Sequence, residues 1–264
     1  MIPLKDQEAI RVKFAQEMLG PVKIDYFTQK ELDIVLPGRE PCAYCKPTRE
    51  MLQEVAALSD LISLRVHNLE DEREEAARFG VERIPGIVLR DRGGTFFKFY
   101  GMPGGSEFAS FLDTIVDISR HEVLFSEQSV KALRKLKEDI RVRVFVAPTC
   151  PYCPMMARGV FQMALVNPHV KAEVIEVNEF PELAKRYDVT AVPLTLIEDR
   201  IAIPGAVPEK ALVEQVLKAA QSPAAQPSEV RGPSTPQAPP EDPRRKPRSA
   251  DKPASGRGSG LILP

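Results

Sequence analysis

The sequence has no tryptophan and only three histidines, His67, His121 and His169. None of the three stands beside a cysteine in the chain, so nothing in the sequence points to a His-activated nucleophile. No apolar run approaches the roughly 18 residues that cross a bilayer. The opening stretch, MIPLKDQEAIRVKF, lacks the apolar core of about 7–15 residues that marks a secretory signal. The net charge is −1, too small for a global field that would draw in nucleic acid or an anionic membrane. These absences predict a non-secreted, cytoplasmic protein with neither nucleic acid nor membrane as partner. The rest of the composition is that of an ordinary globular chain, 43% hydrophobic and 28% charged. Its 264 residues hold one large domain or two of about 110–130 residues each.

Proline is unevenly spread. Ten of the 25 prolines lie in 221–264, a stretch with no aromatic residue and no cysteine. Such a segment cannot bury enough apolar surface to offset its chain entropy. It is expected to be a disordered tail. It carries seven Lys/Arg against four Asp/Glu and two P-x-x-P strings, Pro236–Pro239 and Pro240–Pro243, which read as features of a solvated linker.

Cysteine is scarce as well, four in all, and all four fall in two Cys-x-x-Cys motifs. The first is Cys42-Ala43-Tyr44-Cys45 and the second Cys150-Pro151-Tyr152-Cys153, 108 residues later. A second landmark repeats at the same offset. Ile84-Pro85 follows the first motif and Val192-Pro193 the second, with 43 residues from leading cysteine to proline in both cases. Two independent landmarks at one offset identify a tandem duplication.

Each half has the same order of periodic segments. A leading helix (near 4–19, with Ile10, Phe14 and Met18 on one face) precedes a strand at 22–27, the first motif and a helix to about Leu58. A strand at 61–66, a charged helix at 71–79, strands after Pro85 and Gly94, and a closing helix near 105–119 complete the half. The second half reads as a helix near 127–138, a strand at 140–146, the second motif, a helix to about Val166, a strand at 170–177, a helix at 180–187, two short strands and a helix at 208–219. The βαβ start requires a parallel, right-handed crossover, and the two closely spaced final strands form an antiparallel hairpin. Each half is therefore an α/β unit, a mixed four-stranded sheet with helices on both faces. The halves differ in two ways. A 14-residue stretch, 28–41, separates the first strand from its motif and is placed to cover or reshape the first pair. The final hairpin of the second half is shorter.

A Cys-x-x-Cys at a strand-to-helix junction puts its leading thiol at a helix N-terminus, where free N–H groups favour the thiolate. The second thiol lies about one turn on, on the same face. Cys42 and Cys150 are thus the natural nucleophiles, with Cys45 and Cys153 as resolving thiols. The chemistry is thiol–disulfide exchange, which needs no cofactor. The repeated distance from motif to proline predicts that Pro85 and Pro193 are cis and lie against the cysteine pairs. There the backbone at Ile84 and Val192 can pair with an extended substrate chain. Tyr44 and Tyr152 are placed to shape the rim, as substrate contacts or as helix caps. Lys46 reads as a solvated lysine and Met155-Met156 as packing residues. Asp25, on the first strand, reads as a solvated or edge-facing acid rather than a buried proton acceptor.

Cys150-Pro151-Tyr152-Cys153 resembles a glutaredoxin active site, and Pro85 and Pro193 resemble the cis-proline of the thioredoxin superfamily. The tandem arrangement resembles the two-domain protein disulfide oxidoreductases, or glutaredoxin-like proteins. That resemblance implies a thioredoxin-like domain over 1–120, a glutaredoxin-like domain over 121–220 and the tail 221–264. It implies activity on protein disulfides and dithiols as reductase, oxidase or isomerase, and a thioredoxin-reductase-type flavoenzyme as electron donor. An electron relay to a dedicated partner such as a peroxidase keeps the fold and changes the role. The reading of a different class is a cysteine-bound zinc or iron–sulfur protein. Its drawback is that Cys45 and Cys150 lie far apart in the chain, each pair opening a helix of its own repeat. Deleting 221–264 is expected to leave disulfide reduction intact in an insulin precipitation assay.

Overall fold

The computed structural model describes residues 2–30, 41–94 and 96–221. Most of the 28–41 insertion, and the tail beyond Gln221, lie outside the described residues. The first repeat runs α1 (Leu4–Glu17), β1 (Val22–Thr28), α2 (Cys45–Ala56), β2 (Ile62–Asn68), α3 (Arg73–Phe79), β3 (Gly86–Arg90), β4 (Phe96–Tyr100) and α4 (Ser106–Arg120). The second runs α5 (Glu127–Leu133), β5 (Ile140–Val146), α6 (Cys153–Val166), β6 (Val170–Glu176), α7 (Pro181–Arg186), β7 (Leu194–Ile197), β8 (Ile201–Pro204) and α8 (Glu209–Gln221). The order is the expected one in both halves. Helix α5 stops earlier than the apolar spacing predicts. Asn167 Nδ2 donates to the carbonyls of Leu133 and Leu136, so a side chain takes over the acceptors that a further turn would use.

Within each repeat the central strand pairs parallel with its crossover partner, β1 with β2 and β5 with β6, and antiparallel with the hairpin. The central strands are buried on both faces, so their side chains alternate between two cores. Ile24, Tyr26, Val142 and Val144 face a core shared by residues of α1, α2, α4, α6 and α8. Phe27 and Phe145 face the opposite core, under α3 and α7.

The two four-stranded sheets do not stand apart. Strand β4 pairs parallel with β6, matching Lys98, Phe99 and Tyr100 to Glu173, Val174 and Ile175. The result is one eight-stranded sheet, β2-β1-β3-β4-β6-β5-β7-β8. A buried ion cluster marks this seam. Lys98 Nζ and Arg143 Nε each lie 2.7 Å from Glu173, and Arg143 also contacts Tyr187 and Asp199. Burial opposes the ionisation of Glu173, yet its two cations outweigh that and hold the carboxyl below its ordinary value. Above the sheet, α4 packs on α6. Arg158 grips Asp117 through Nε and Nη2 at 2.7 and 2.8 Å, and Gln162 donates to the same carboxylate.

Asp25 corrects the sequence reading. It is buried, not solvated, with Arg90 at 2.6 Å and His67 at 2.9 Å. His67 in turn reaches Glu72 at 2.6 Å. With Phe27 stacked on His67, the group lies in the core under α3.

One glycine makes the approach between repeats possible. Gly105 has φ +56°, and a Cβ there would sit 2.4 Å from the carbonyl oxygen of Pro148. The same carbonyl accepts from Ser106 N–H at 2.9 Å. Gly105→Ala combines left-handed strain with a backbone clash, and is expected to lower stability by about 2–3 kcal/mol. Urea unfolding of the full chain measures it.

Candidate active site: two cysteine pairs at one end of the sheet

Strands β1 and β5 run in the same direction within the common sheet, by way of β3, β4 and β6. Both motifs follow the C-terminal ends of these strands. Four strand spacings of about 4.8 Å separate the two strand axes, or about 19 Å.

The pairs share a local design. Regular helix begins at Cys45 and at Cys153, with Tyr44 and Tyr152 as the preceding caps. Cys42 and Cys150 therefore lie in the turn that enters each helix, just ahead of the expected first-turn position. Both tyrosines are exposed and make no side-chain capping bond. Lys46 is exposed too, Met155 points outward, and Met156 is buried with its sulfur accepting from Val207 N–H.

Ile84-Pro85 and Val192-Pro193 are both cis, as the repeated spacing predicts. Each proline carbonyl accepts from the glycine that ends the hairpin. Gly101 N–H bonds Pro85 at 2.9 Å and Gly205 N–H bonds Pro193 at 2.8 Å. In the second repeat the proline loop meets the cysteine pair directly, because Cys150 Sγ donates to the Val192 carbonyl at 3.6 Å. Ile84 and Val192 side chains pack against the core under α3 and α7.

The first pair is a disulfide, Cys42–Cys45. The second is a dithiol, with Cys150 and Cys153 both buried. Burial, the Cys150 side chain and the charge of Glu107 together push the Cys153 thiol well up. Beneath the first pair, the Tyr26 hydroxyl donates to the Cys45 carbonyl at 2.6 Å. Burial pushes that phenol up to about 12.

Glu107 escaped the sequence reading. It belongs to the first turn of α4, in the first repeat, yet it acts electrostatically on Cys153 of the second. Its side chain is 2% exposed, and Oε1 has no hydrogen-bond partner among the described residues. Desolvation alone pushes its carboxyl up to about 7. In sequence it reads as an acid favouring a helix N-terminus, and only the approach of α4 to α6 reveals another environment.

The Cys₄ zinc reading finds no matching geometry among the described residues. Among the described residues no group of three or more His, Cys, Asp or Glu converges on one point. The two cysteine pairs are therefore not gathered into the Cys₄ centre that the zinc reading requires. No described helix is long and apolar enough to cross a membrane.

A cysteine pair at the end of a central strand, with a cis-proline at the start of the neighbouring hairpin strand, repeated twice in one sheet, defines a tandem thioredoxin fold. A family model described as Thioredoxin domain matches the chain twice, over residues 30–112 and 140–218. The chain belongs to that family, among the thioredoxin-superfamily oxidoreductases. It is 36% identical over 80 residues to a thioredoxin of Methanocaldococcus jannaschii, covering 30% of this chain and 94% of that protein. It is 24% identical over 151 residues to a subunit of alkyl hydroperoxide reductase in Pseudomonas putida, covering 57% of this chain. The chain spans about a quarter of that relative, 27% of its length. Two solved structures share the whole tandem fold. A protein disulfide oxidoreductase from Aeropyrum pernix K1 superposes with a TM-score of 0.73 at 25% identity, covering 83% of this chain and 94% of that one. The NTD_N/C domain of the alkylhydroperoxide reductase AhpF from Enterococcus faecalis gives 0.72 at 24% identity, covering 82% and 100%.

The buried Glu107 carboxyl makes stability depend on pH. Near pH 4 it is protonated in both the folded and the unfolded chain and has no effect. From the ordinary value of 4.5 up to about 7 the unfolded chain ionises first, so stability falls as pH rises and then levels off. Glu107→Gln removes this fall. The variant is expected to match the parent near pH 4 and exceed it by on the order of 2 kcal/mol at pH 8, read by urea unfolding at the two pH values.

Proposed function

We propose that the chain is a thiol–disulfide oxidoreductase that acts on protein disulfides through two sites. Cys42 and Cys150 are the nucleophiles, and Cys45 and Cys153 resolve them. Tyr44, Ile84 and Pro85 border the first site, and Tyr152, Val192 and Pro193 the second, as contacts for an extended substrate. The observation that carries this reading is the Cys150 thiol held against the Val192 carbonyl beside a cis-proline. A strand of substrate laid there would bring its disulfide to the sulfur.

At the second site the reductive half-reaction balances as follows. The Cys150 thiolate attacks one sulfur of a substrate disulfide. That S–S bond breaks, the other substrate sulfur leaves as a thiolate and takes a proton from solvent, and a mixed disulfide joins enzyme to substrate. Cys153 then gives its proton to Glu107, attacks Cys150 Sγ and expels the remaining substrate thiolate. Two electrons have passed to the substrate, and a Cys150–Cys153 disulfide remains for a dithiol donor to reduce. Glu107 suits the acceptor's part because it is the charge nearby whose own proton affinity is raised toward neutrality. The electron donor proposed is a thioredoxin-reductase-type flavoenzyme. The net direction follows the potentials of the two sites against that of the compartment.

A second reading makes the chain an electron relay to a peroxidase. What favours it is the likeness to hydroperoxide reductases at the level of both sequence and tandem fold. The two readings share the cysteine chemistry and differ in the acceptor.

The experiment that tests the shared core is a redox titration with mass spectrometry of alkylated thiols, paired with a zinc assay. Two metal-free two-electron steps are expected; thiols that fail to cycle, with zinc bound, would sink the reading. Cys150→Ser is expected to abolish exchange at the second site. Cys153→Ser is expected to accumulate a covalent adduct with a substrate thiol, seen as a reducible mass increase.

A further inference from the structure

The second pair is served by an acid from the first repeat. The first pair faces the converse arrangement, which the sequence offers no hint of. Glu179 follows β6, in the second repeat, but its Oε1 accepts from the N–H of Met102 in the first, at 2.7 Å. Met102 and Gly101 follow β4, and Gly101 is the residue bonded to the Pro85 carbonyl. A Cβ on Gly101 would lie 3.1 Å from Glu179 Oε1 and 2.7 Å from Glu176 Cβ, so the glycine lets this carboxylate come close. Glu179 Oε2 is buried with no hydrogen-bond partner among the described residues. Burial first, with the Glu179 charge as the least of the causes, raises the proton affinity of the Tyr26 phenol, and the Tyr26 hydroxyl is bonded to the carbonyl of Cys45.

We propose that Glu179 is a positioning residue of the first site, a cross-repeat acid that sets through Tyr26 how readily the Cys42–Cys45 pair holds its protons. The proposal rests on the oxidoreductase reading above and deepens it. Each cysteine pair then works near a desolvated carboxyl from the other repeat, the buried Glu107 for the second and the half-buried Glu179 for the first.

Charge acts on charge here in a place poor in water. When a substrate dithiol reduces Cys42–Cys45, a substrate thiolate attacks Cys42, the S–S bond breaks and Cys45 leaves as a thiolate. The second substrate sulfur displaces Cys42, the substrate departs as a disulfide, and two electrons have entered the pair. Negative charge thus appears on sulfur beside the helix whose first carbonyl Tyr26 holds. An ionised Glu179 opposes that charge and favours protonated thiols, whereas a neutral one permits it. The charged groups facing this cluster are Glu176 from the end of β6, Arg49 from α2 and Tyr26 from β1. Burial pushes the Glu179 carboxyl up to about 7, with Glu176 adding to the shift and the Met102 N–H opposing it. The carboxyl therefore changes state near neutral pH.

The test uses the reduced full chain, with the rate of alkylation at each cysteine followed against pH by mass spectrometry. Glu179→Gln keeps the shape and an oxygen for Met102 N–H. It is expected to move the midpoint of the first pair down by about half a pH unit or more, leaving Cys150 and Cys153 where they were. Glu179→Asp, which retains the charge, should bring the midpoint back toward the parent. In a Tyr26→Phe background the Glu179→Gln shift should shrink. An unmoved first pair overturns the proposal, and so does an equal shift of all four cysteines, the sign of general loosening. A full shift in the Tyr26→Phe background overturns the route through the phenol. None of these readings needs a substrate. If the pair fails to cycle with an oxidising dithiol couple, the oxidoreductase reading falls, while the midpoints still report on Glu179.

Discussion

Parallel pairing of β4 with β6 is the constraint on which the other arrangements rest. It turns two four-stranded sheets into one and makes β1 and β5 run the same way, so both cysteine pairs emerge at the same end of the sheet. It also buries Lys98, Glu173 and Arg143 together. A buried ion cluster contributes little net stability over apolar packing of the same shape. Removing one member is costly, however, because the others are left charged in a dry place. The cluster is therefore better understood as fixing the register than as adding strength, since Glu173 meets Lys98 directly across the strands.

The seam also explains why acids far from the motifs bear on the cysteines. Gly105 brings the start of α4 against Pro148, two residues before Cys150, and Glu107 is carried in with it. On the other side Gly101 makes room for the loop after β6, and Glu179 arrives beneath the proline loop of the first pair. Among the described residues neither carboxylate is paired with a cation as Glu173 is. Desolvation dominates at both, and each is pushed to about 7. Groups poised there can take or release protons under ordinary conditions, as proton transfer in thiol exchange requires.

Much of this was legible in the sequence. The common 108-residue offset of cysteines and prolines revealed the duplication, and apolar periodicity placed the helices and strands, because these are local signals. The cis bonds were legible for the same reason. The seam was not, since Lys98 and Glu173 look like the polar members of any alternating strand, and which sheet edges meet is a non-local question. Glu107 and Glu179 look like ordinary acids near helix starts. Asp25 misled in the other direction. An aspartate on a strand reads as exposed until its partners are known, and Arg90 and His67 come from other strands of the sheet.

Joining like units edge to edge by translation has no natural stopping point, because the far strand of each unit offers what the near strand of the next one needs. Such a rule, left open, builds a fibre. In the second repeat β8 occupies the place of β4, with Ala202, Ile203 and Pro204 where the first repeat has Lys98, Phe99 and Tyr100. The cation that would meet an incoming acid is an alanine. The position of Tyr100 is held by a residue with no N–H to donate. These two changes leave β8 without what β4 offers β6, so the second hairpin does not repeat the joint.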